Sequence, residues 1–145
     1  MPEHLRSIVN RIRQFVGDRR HAPRYRARLP CTVSLMEQEN RSAHASTHAR
    51  TLVGHTHDLS ATGLALVLPA IRIGQRYLMG EGRSILVVLE LPAGKIRLRA
   101  TPVRYERLDT ETQSESGYLI GAHIGEMSDE DRALFIEYLK KLRAG

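Results

Sequence analysis

The stretch TLVGHTHDLSATGLALVL, residues 51–68, places a polar turn between two runs of apolar and β-branched residues. The runs Thr51–Asp58 and Leu64–Leu68 have the composition of β-strands. Between them, the side chains of Asp58 and Ser60 can bond to nearby backbone amides, and Gly63 tolerates a positive φ. The stretch therefore predicts a β-hairpin whose turn also offers a carboxylate acceptor and a hydroxyl donor to a ligand.

Further predicted strands flank this hairpin, and most show the alternation of apolar and polar residues that is typical of a half-buried strand. They span residues 29–36, 84–91, 96–105 and 118–124. The apolar phase of the third one changes at Thr101-Pro102, which predicts a β-bulge. With the hairpin they make about six antiparallel strands, which predicts a mainly β protein, a small barrel or sandwich.

A helix is predicted at each end of the chain. Ser128 is suited to cap a C-terminal helix whose apolar stripe is expected to be buried and contains Leu134, Phe135, Tyr138, Leu139 and Leu142. Residues 1–17 contain a second apolar stripe with arginines on the opposite side. We expect this amphipathic N-terminal helix to pack on its own domain or on a second copy of the chain, as in a homodimer. Reversible docking on a membrane through its basic face is the alternative.

Arginines dominate the segment that follows, residues 18–28. Pro23 makes this segment extended, because proline lacks an amide hydrogen and keeps the residue before it out of the helical region. Since side chains alternate along an extended chain, one face carries a row of cations: Arg20, Arg24, Arg26 and Arg28. A guanidinium binds phosphate oxygens bidentately and also matches the O6 and N7 atoms of guanine. The segment therefore predicts a ligand that carries phosphate and guanine.

The composition is that of a soluble protein of one domain. The 145 residues include 22 Lys and Arg against 16 Asp and Glu, a formal net charge of +6 that favours polyanionic partners. Cys31 is the single cysteine, which excludes an intrachain disulfide and suits a reducing cytoplasm. Because it falls on the apolar phase of its strand, we expect a core thiol rather than a nucleophile. The longest apolar run, Leu64–Ile71, is far shorter than the roughly 20 residues of a membrane span, so no stable membrane insertion is expected.

Three other classes of function have less support in the sequence. No catalytic set and no glycine-rich phosphate loop is present, so neither enzymatic activity nor a cofactor is expected. The histidines that a metal site would need, His44, His48, His55 and His57, are better explained as solvated side chains, so no metal site is predicted. A basic barrel that binds RNA or single-stranded DNA is the third class. Such a barrel would stack bases on aromatic side chains of its sheet. Because the chain has five Tyr, two Phe and no Trp, these side chains are scarce, and we expect no nucleic acid polymer as a partner.

Two motifs taken together resemble the PilZ domain family, the bacterial receptor module for cyclic di-GMP. The first is R-x-x-x-R, here Arg20 to Arg24, and the second is D/N-x-S-x-x-G, here Asp58 to Gly63. The resemblance covers residues 18–145 and leaves the N-terminal helix, residues 1–17, outside it. It implies a six-stranded antiparallel β-barrel with a C-terminal helix, in agreement with the strands predicted from the pattern.

The resemblance also implies which residues form the site for cyclic di-GMP: Arg19, Arg20, Arg24, Asp58, Ser60 and Gly63. The two arginines of the first motif would bind guanine edges and phosphates, and Asp58 would accept a hydrogen bond from a guanine N–H group. Ser60 and the turn backbone would complete the pocket, and Gly63 would shape the turn. In this family the residue before R-x-x-x-R bears on whether one nucleotide or a stacked pair is bound, and Arg19 suits the pair because guanidinium stacks on guanine.

This sequence departs from the family pattern at two places. His123-Ile124 stands where many relatives have an acidic residue followed by an aromatic one, and the loop of residues 37–50 lengthens the separation of the two motifs. Neither departure changes a residue that the resemblance places against the ligand.

The hypothesis from the sequence is a non-enzymatic cytoplasmic receptor in bacterial signalling. Cyclic di-GMP would order the linker, residues 18–28, on the barrel and would reposition the N-terminal helix to regulate a protein partner that the sequence does not identify. The alternative within the family is a degenerate module that has lost the ligand and works through protein contacts.

Overall fold

The computed structural model describes residues 22–36, 51–80, 82–108 and 117–144. The predicted N-terminal amphipathic helix, residues 1–17, lies outside them.

The described chain forms short and long β-strands followed by one helix. In chain order they are β1 (Tyr25–Arg26), β2 (Pro30–Leu35), β3 (Leu52–Leu59), β4 (Gly63–Leu68), β5 (Arg72–Ile73), β6 (Arg76–Tyr77), β7 (Ile85–Leu91), β8 (Gly94–Leu108), β9 (Gly117–Met127) and α1 (Asp129–Ala144). Strands β3, β2, β7, β8, β9 and β4 are neighbours in that order, and β4 pairs again with β3. This pairing closes a six-stranded antiparallel barrel, so the predicted mainly β barrel with a C-terminal helix is confirmed.

Strand β1 extends the barrel beside the predicted turn. It pairs with one end of β3, with Arg26 opposite Asp58, while β2 pairs with the other end. The buried hydroxyl of Thr56 bridges the interruption between β1 and β2. It donates a hydrogen bond to the carbonyl of Ala27 and accepts one from the amide of Leu29 at 2.9 Å. The end of the arginine-rich linker is therefore attached to the barrel wall by backbone and side-chain bonds.

The barrel interior is filled by aliphatic side chains, and helix α1 packs against β8 and β1. Ser128 caps the helix as predicted, because its hydroxyl accepts a hydrogen bond from the amide of Asp131 at 3.0 Å. Phe135 and Leu139 of the predicted stripe are buried in the core. Leu134 is 36% exposed, so its predicted burial is wrong, since it lies about 100° around the helix from Phe135. Among the described residues, no helix has the length and apolar character that a membrane crossing requires.

The predicted bulge in β8 is confirmed. The register with β9 shifts between Pro102 and Arg104, and it also shifts between Leu98 and Ala100. Each shift changes which face the following side chains occupy and increases the local twist. The two shifts let one long strand bend around the barrel.

A small hairpin, β5–β6, joins β4 to β7, where no strand is predicted. Leu78, which follows it, is fully buried in the barrel core, and its amide donates to the carbonyl of Ile71 at 2.8 Å. Gly74 at the tip has φ of 67°, a value that favours glycine. The strands have two residues each, too few for a periodic pattern to be recognised.

Cys31 provides a first prediction. The thiol lies in the core, as expected, and burial raises its pKa to about 12, although a backbone hydrogen bond with Gly54 acts in the opposite direction. Since the thiolate is the reactive species, we expect no alkylation of the folded protein by iodoacetamide at pH 8 and complete alkylation in denaturant, measured by mass spectrometry. Modification of the folded protein at the rate of a free cysteine would contradict this burial.

Candidate functional site

A bulge in β3 sets the direction of the Asp58 side chain. The register between β3 and β4 shifts between Thr56 and Asp58, and His57 is the extra residue. Thr56 is buried toward the barrel interior and Asp58 is paired with Ala65, whose side chain lies outside the main core. Without the extra residue, Thr56 and Asp58 would share one face of the strand. The bulge therefore directs the carboxylate to the outer face of the barrel.

The carboxylate of Asp58 bonds to two basic side chains. Nη2 of Arg24 donates to Oδ1, and Nδ1 of His57 lies 2.7 Å from Oδ2. Burial raises the pKa of Asp58, but the hydrogen bond of His57 and the charge and hydrogen bond of Arg24 outweigh it, so the pKa lies below its usual value. At neutral pH the group is an ionised acceptor on the outer face.

Arg24 reaches Asp58 although the two residues are 34 positions apart in the chain. It directly precedes β1, and the pairing of Tyr25 with Leu59 brings the linker beside the end of β3. Its side chain is 15% exposed and that of Asp58 is 10% exposed. The structure thus joins one residue of each sequence motif in a nearly buried ion pair.

Ser60 bonds within the turn. Its hydroxyl accepts hydrogen bonds from the amides of Thr62, at 3.2 Å, and Gly63, at 3.0 Å. The amide of Ser60 in turn donates to the carbonyl of Gly63 at 2.9 Å, and the amide of Ile124 in β9 donates to the carbonyl of Thr62 at the same distance. The side chain of Ser60 is buried, so it holds the turn in place beside Asp58.

Gly63 begins β4, and it does not adopt the positive φ that glycine tolerates. The described glycines with positive φ are Gly74, Gly80, Gly82, Gly94 and Gly117. Gly63 is instead in extended backbone, opposite His123 of β9. The turn is therefore closed by the hydrogen bonds of the Ser60 side chain and not by a positive φ at Gly63.

The structure brings together Arg24, Asp58, Ser60 and Gly63 of the predicted site. Arg19 and Arg20 lie outside the described residues. The contact between His57 and Asp58 is not predicted from the sequence. The position of His57 next to Asp58 was the available signal, but in a regular strand adjacent side chains point to opposite faces, and only the bulge lets both groups meet.

The histidines do not form a metal site in the part of the chain that the structure describes. No group of three or more metal-ligating side chains occurs there. His55 and His57 are on β3, whereas His44 and His48 lie outside the described residues.

The low pKa of Asp58 predicts a dependence of stability on pH. Because the carboxyl binds protons more weakly in the folded state, its stabilising contribution is complete above the unfolded pKa of about 4 and is lost as pH falls through the lower folded value. We expect the free energy of unfolding to fall as the pH drops below about 4, and to fall less steeply in Asp58→Asn. Urea unfolding followed by circular dichroism over this range measures both slopes. Parallel profiles would show that another group causes the acid sensitivity.

Comparison with known proteins gives the family of this fold. A family model, PilZ domain, matches residues 18–141. No curated protein matches the chain in sequence.

Three solved structures resemble the fold. The PilZ domain of YcgR from Escherichia coli with c-di-GMP has 14% identity and a TM-score of 0.55, covering 87% of this chain and 95% of that one. The MrkH–c-di-GMP complex of K. pneumonia has 17% identity and a TM-score of 0.60, covering 86% and 52%. The inhibitor of motility MotI/DgrA of Bacillus subtilis has 20% identity and a TM-score of 0.53, covering 85% and 50%. The chain thus spans about half the length of the last two. Because the family model covers most of the sequence and the barrel agrees with these structures, the chain belongs to the PilZ domain family.

Proposed function

We propose that this protein is a non-enzymatic receptor for cyclic di-GMP. The observation that carries the proposal is the Arg24–Asp58 ion pair on the outer face of the barrel, beside the turn that Ser60 holds. Two of the similar structures, those of YcgR and MrkH, are complexes with c-di-GMP, which supports the same ligand class here.

The chemistry of this pair is complementary to guanine. An ionised carboxylate only accepts hydrogen bonds, and guanine offers two neighbouring donors, N1–H and the exocyclic amino group. The guanidinium of Arg24 can bind O6 and N7 of guanine or the phosphate oxygens. Each carboxylate oxygen can accept two hydrogen bonds, so Asp58 keeps acceptor capacity for a ligand beside its contacts with Arg24 and His57. The adenine edge lacks the paired donors, so cyclic di-AMP should bind much more weakly.

The conformational change that we propose is confined to the residues before Arg24. Arg24 and β1 already contact β3 in this structure, so the movable part of the linker is shorter than residues 18–28. Ligand phosphates would bring Arg19 and Arg20 onto the barrel beside Arg24, and this would move the N-terminal segment and change the surface offered to a protein partner. Arg19 would hold a second, stacked molecule of cyclic di-GMP by cation–π stacking.

Isothermal titration calorimetry of the full chain tests the receptor proposal. We expect saturable binding of cyclic di-GMP and no binding of GMP or cyclic di-AMP at the same concentrations. A stoichiometry of two that falls to one in Arg19→Ala would support the stacked pair. No heat with cyclic di-GMP would overturn the receptor proposal and favour a PilZ scaffold that acts through protein contacts.

A further inference from the structure

A cavity of about 330 Å³ lies next to the Arg24–Asp58 pair, where β1 and the chain after it meet β3. Its volume is at the lower end of the roughly 300–1,000 Å³ that is usual for small-molecule sites. The residues that line it are Arg26, Ala27, Arg28, His55, Thr56 and His57. None of them belongs to either motif of the PilZ family.

The lining of this cavity is basic. Arg26 and Arg28 are exposed at its wall, and no carboxylate lines it. Within the described part of the chain, neither arginine has a carboxylate partner. Guanidinium groups that converge without a neutralising acid favour an anion between them, and the forked geometry of arginine favours phosphate.

In each of the two histidines that line the cavity, Nδ1 has a polar contact within the protein. Nδ1 of His55 lies 3.2 Å from the carbonyl of Thr56, and Nδ1 of His57 lies 2.7 Å from Asp58. A carbonyl or carboxylate oxygen only accepts, so Nδ1 is the donor in both rings. Nε2 then accepts in the neutral ring and donates in the protonated ring, so an anion in the cavity favours a proton on Nε2.

We propose that this cavity is a second binding site, for the phosphate group of a small ligand, either inorganic phosphate or a nucleotide. It is distinct from the Arg24–Asp58 pair but adjoins it, because His57 both lines the cavity and bonds to Asp58. A phosphate bound there adds an anion beside this contact. A phosphate bound in the cavity could therefore affect the Arg24–Asp58 pair in addition to a ligand that binds the pair directly.

Nuclear magnetic resonance of the histidine side chains in the full chain tests the proposal. The probes are inorganic pyrophosphate, inorganic phosphate and cyclic di-GMP, each titrated in chloride buffer. We expect pyrophosphate to shift the Nε2 resonances of His55 and His57 saturably, toward the values of protonated rings. The variant Arg26→Gln/Arg28→Gln should bind at least tenfold more weakly, because it loses two sets of charge-assisted hydrogen bonds.

The matched control is Arg132→Gln/Arg143→Gln, which removes the same charge from exposed positions of α1. Its affinity for pyrophosphate should equal that of the wild type. Equal losses in the two double variants, or no saturable shift of either histidine with any of the three probes, would overturn the proposal. If Arg26→Gln/Arg28→Gln fails to fold, Arg28→Gln alone gives the same test at an exposed position.

Comparison of the probes distinguishes the source of the phosphate and separates this proposal from the receptor proposal. If both histidines shift with pyrophosphate or phosphate and cyclic di-GMP leaves His55 unchanged, the cavity takes free phosphate. Shifts of both histidines with cyclic di-GMP show that a nucleotide phosphate enters it. A wild-type chain that binds pyrophosphate but not cyclic di-GMP overturns the receptor proposal and leaves this one standing.

Discussion

Arg24→Ala should weaken the binding of cyclic di-GMP by about 100-fold. The substitution removes the guanidinium that lies against Asp58 at the proposed site. It also removes the two charge-assisted hydrogen bonds that we propose Arg24 donates to the ligand. Each such bond contributes about 1.5 kcal/mol or more, and 1.4 kcal/mol corresponds to a factor of ten in affinity. Calorimetry of the variant beside the wild type measures the loss.

Arg24→Lys separates charge from geometry at the same position. Lysine keeps the positive charge but lacks the planar fork that binds two oxygens at once. We therefore expect an affinity between those of the wild type and Arg24→Ala. An affinity of Arg24→Lys equal to the wild type would show that only the charge matters and that no bidentate contact forms.

The control for Arg24→Ala is Arg132→Ala. Arg132 is exposed on α1, so its loss changes the net charge equally without touching the candidate site. Its affinity should match that of the wild type. Because the ion pair with Asp58 also supports the fold, thermal unfolding of each variant must show that the protein is folded at the titration temperature. A folded Arg24→Ala that binds as the wild type does would exclude Arg24 from the ligand site.

The sequence predicted the residues of this site better than their contacts. Arg24 and Asp58 belong to recognisable motifs, and a motif can be recognised from the identity and order of its residues alone. Their meeting depends on β1, which has two residues and no detectable period, and on a bulge at His57. A strand pattern contains no signal for one extra residue when both flanking side chains are polar. The bond between His57 and Asp58 could therefore be found only in the structure.

The long elements of the fold were predictable for a different reason. Strands such as β7 and β8 alternate buried and exposed residues over many positions, so the pattern repeats often enough to be recognised. The β5–β6 hairpin lacks that repetition, and the burial of Leu78 depends on a turn that closes through Gly74. Glycine at position 63 permits a positive φ but does not require one, so the residue type alone could not decide its backbone conformation.

Gly54 is a position whose importance only the structure shows, and Gly54→Ala should lower the free energy of unfolding by about 3 kcal/mol. A Cβ atom there would lie 2.1 Å from the carbonyl oxygen of Val67 and 2.8 Å from Cδ2 of Leu68. The first of these atoms belongs to the backbone of β4, which closes the barrel against β3. The clash therefore cannot be relieved by a side-chain rotation and must displace a paired strand.

Gly125→Ala is the matched control for this prediction. Gly125 also lies in a strand without a positive φ, and its added Cβ would be 3.3 Å from the carbonyl of Arg99, a tight contact that a small shift relieves. Since alanine also restricts the unfolded chain, we expect its stability to stay within about 1 kcal/mol of the wild type. Urea unfolding of the three proteins at pH 7 gives the differences. If Gly54→Ala were as stable as Gly125→Ala, β4 would have to move away from β3 at little cost in free energy. The β3–β4 pairing, which closes the barrel and positions Asp58, would then not be rigid.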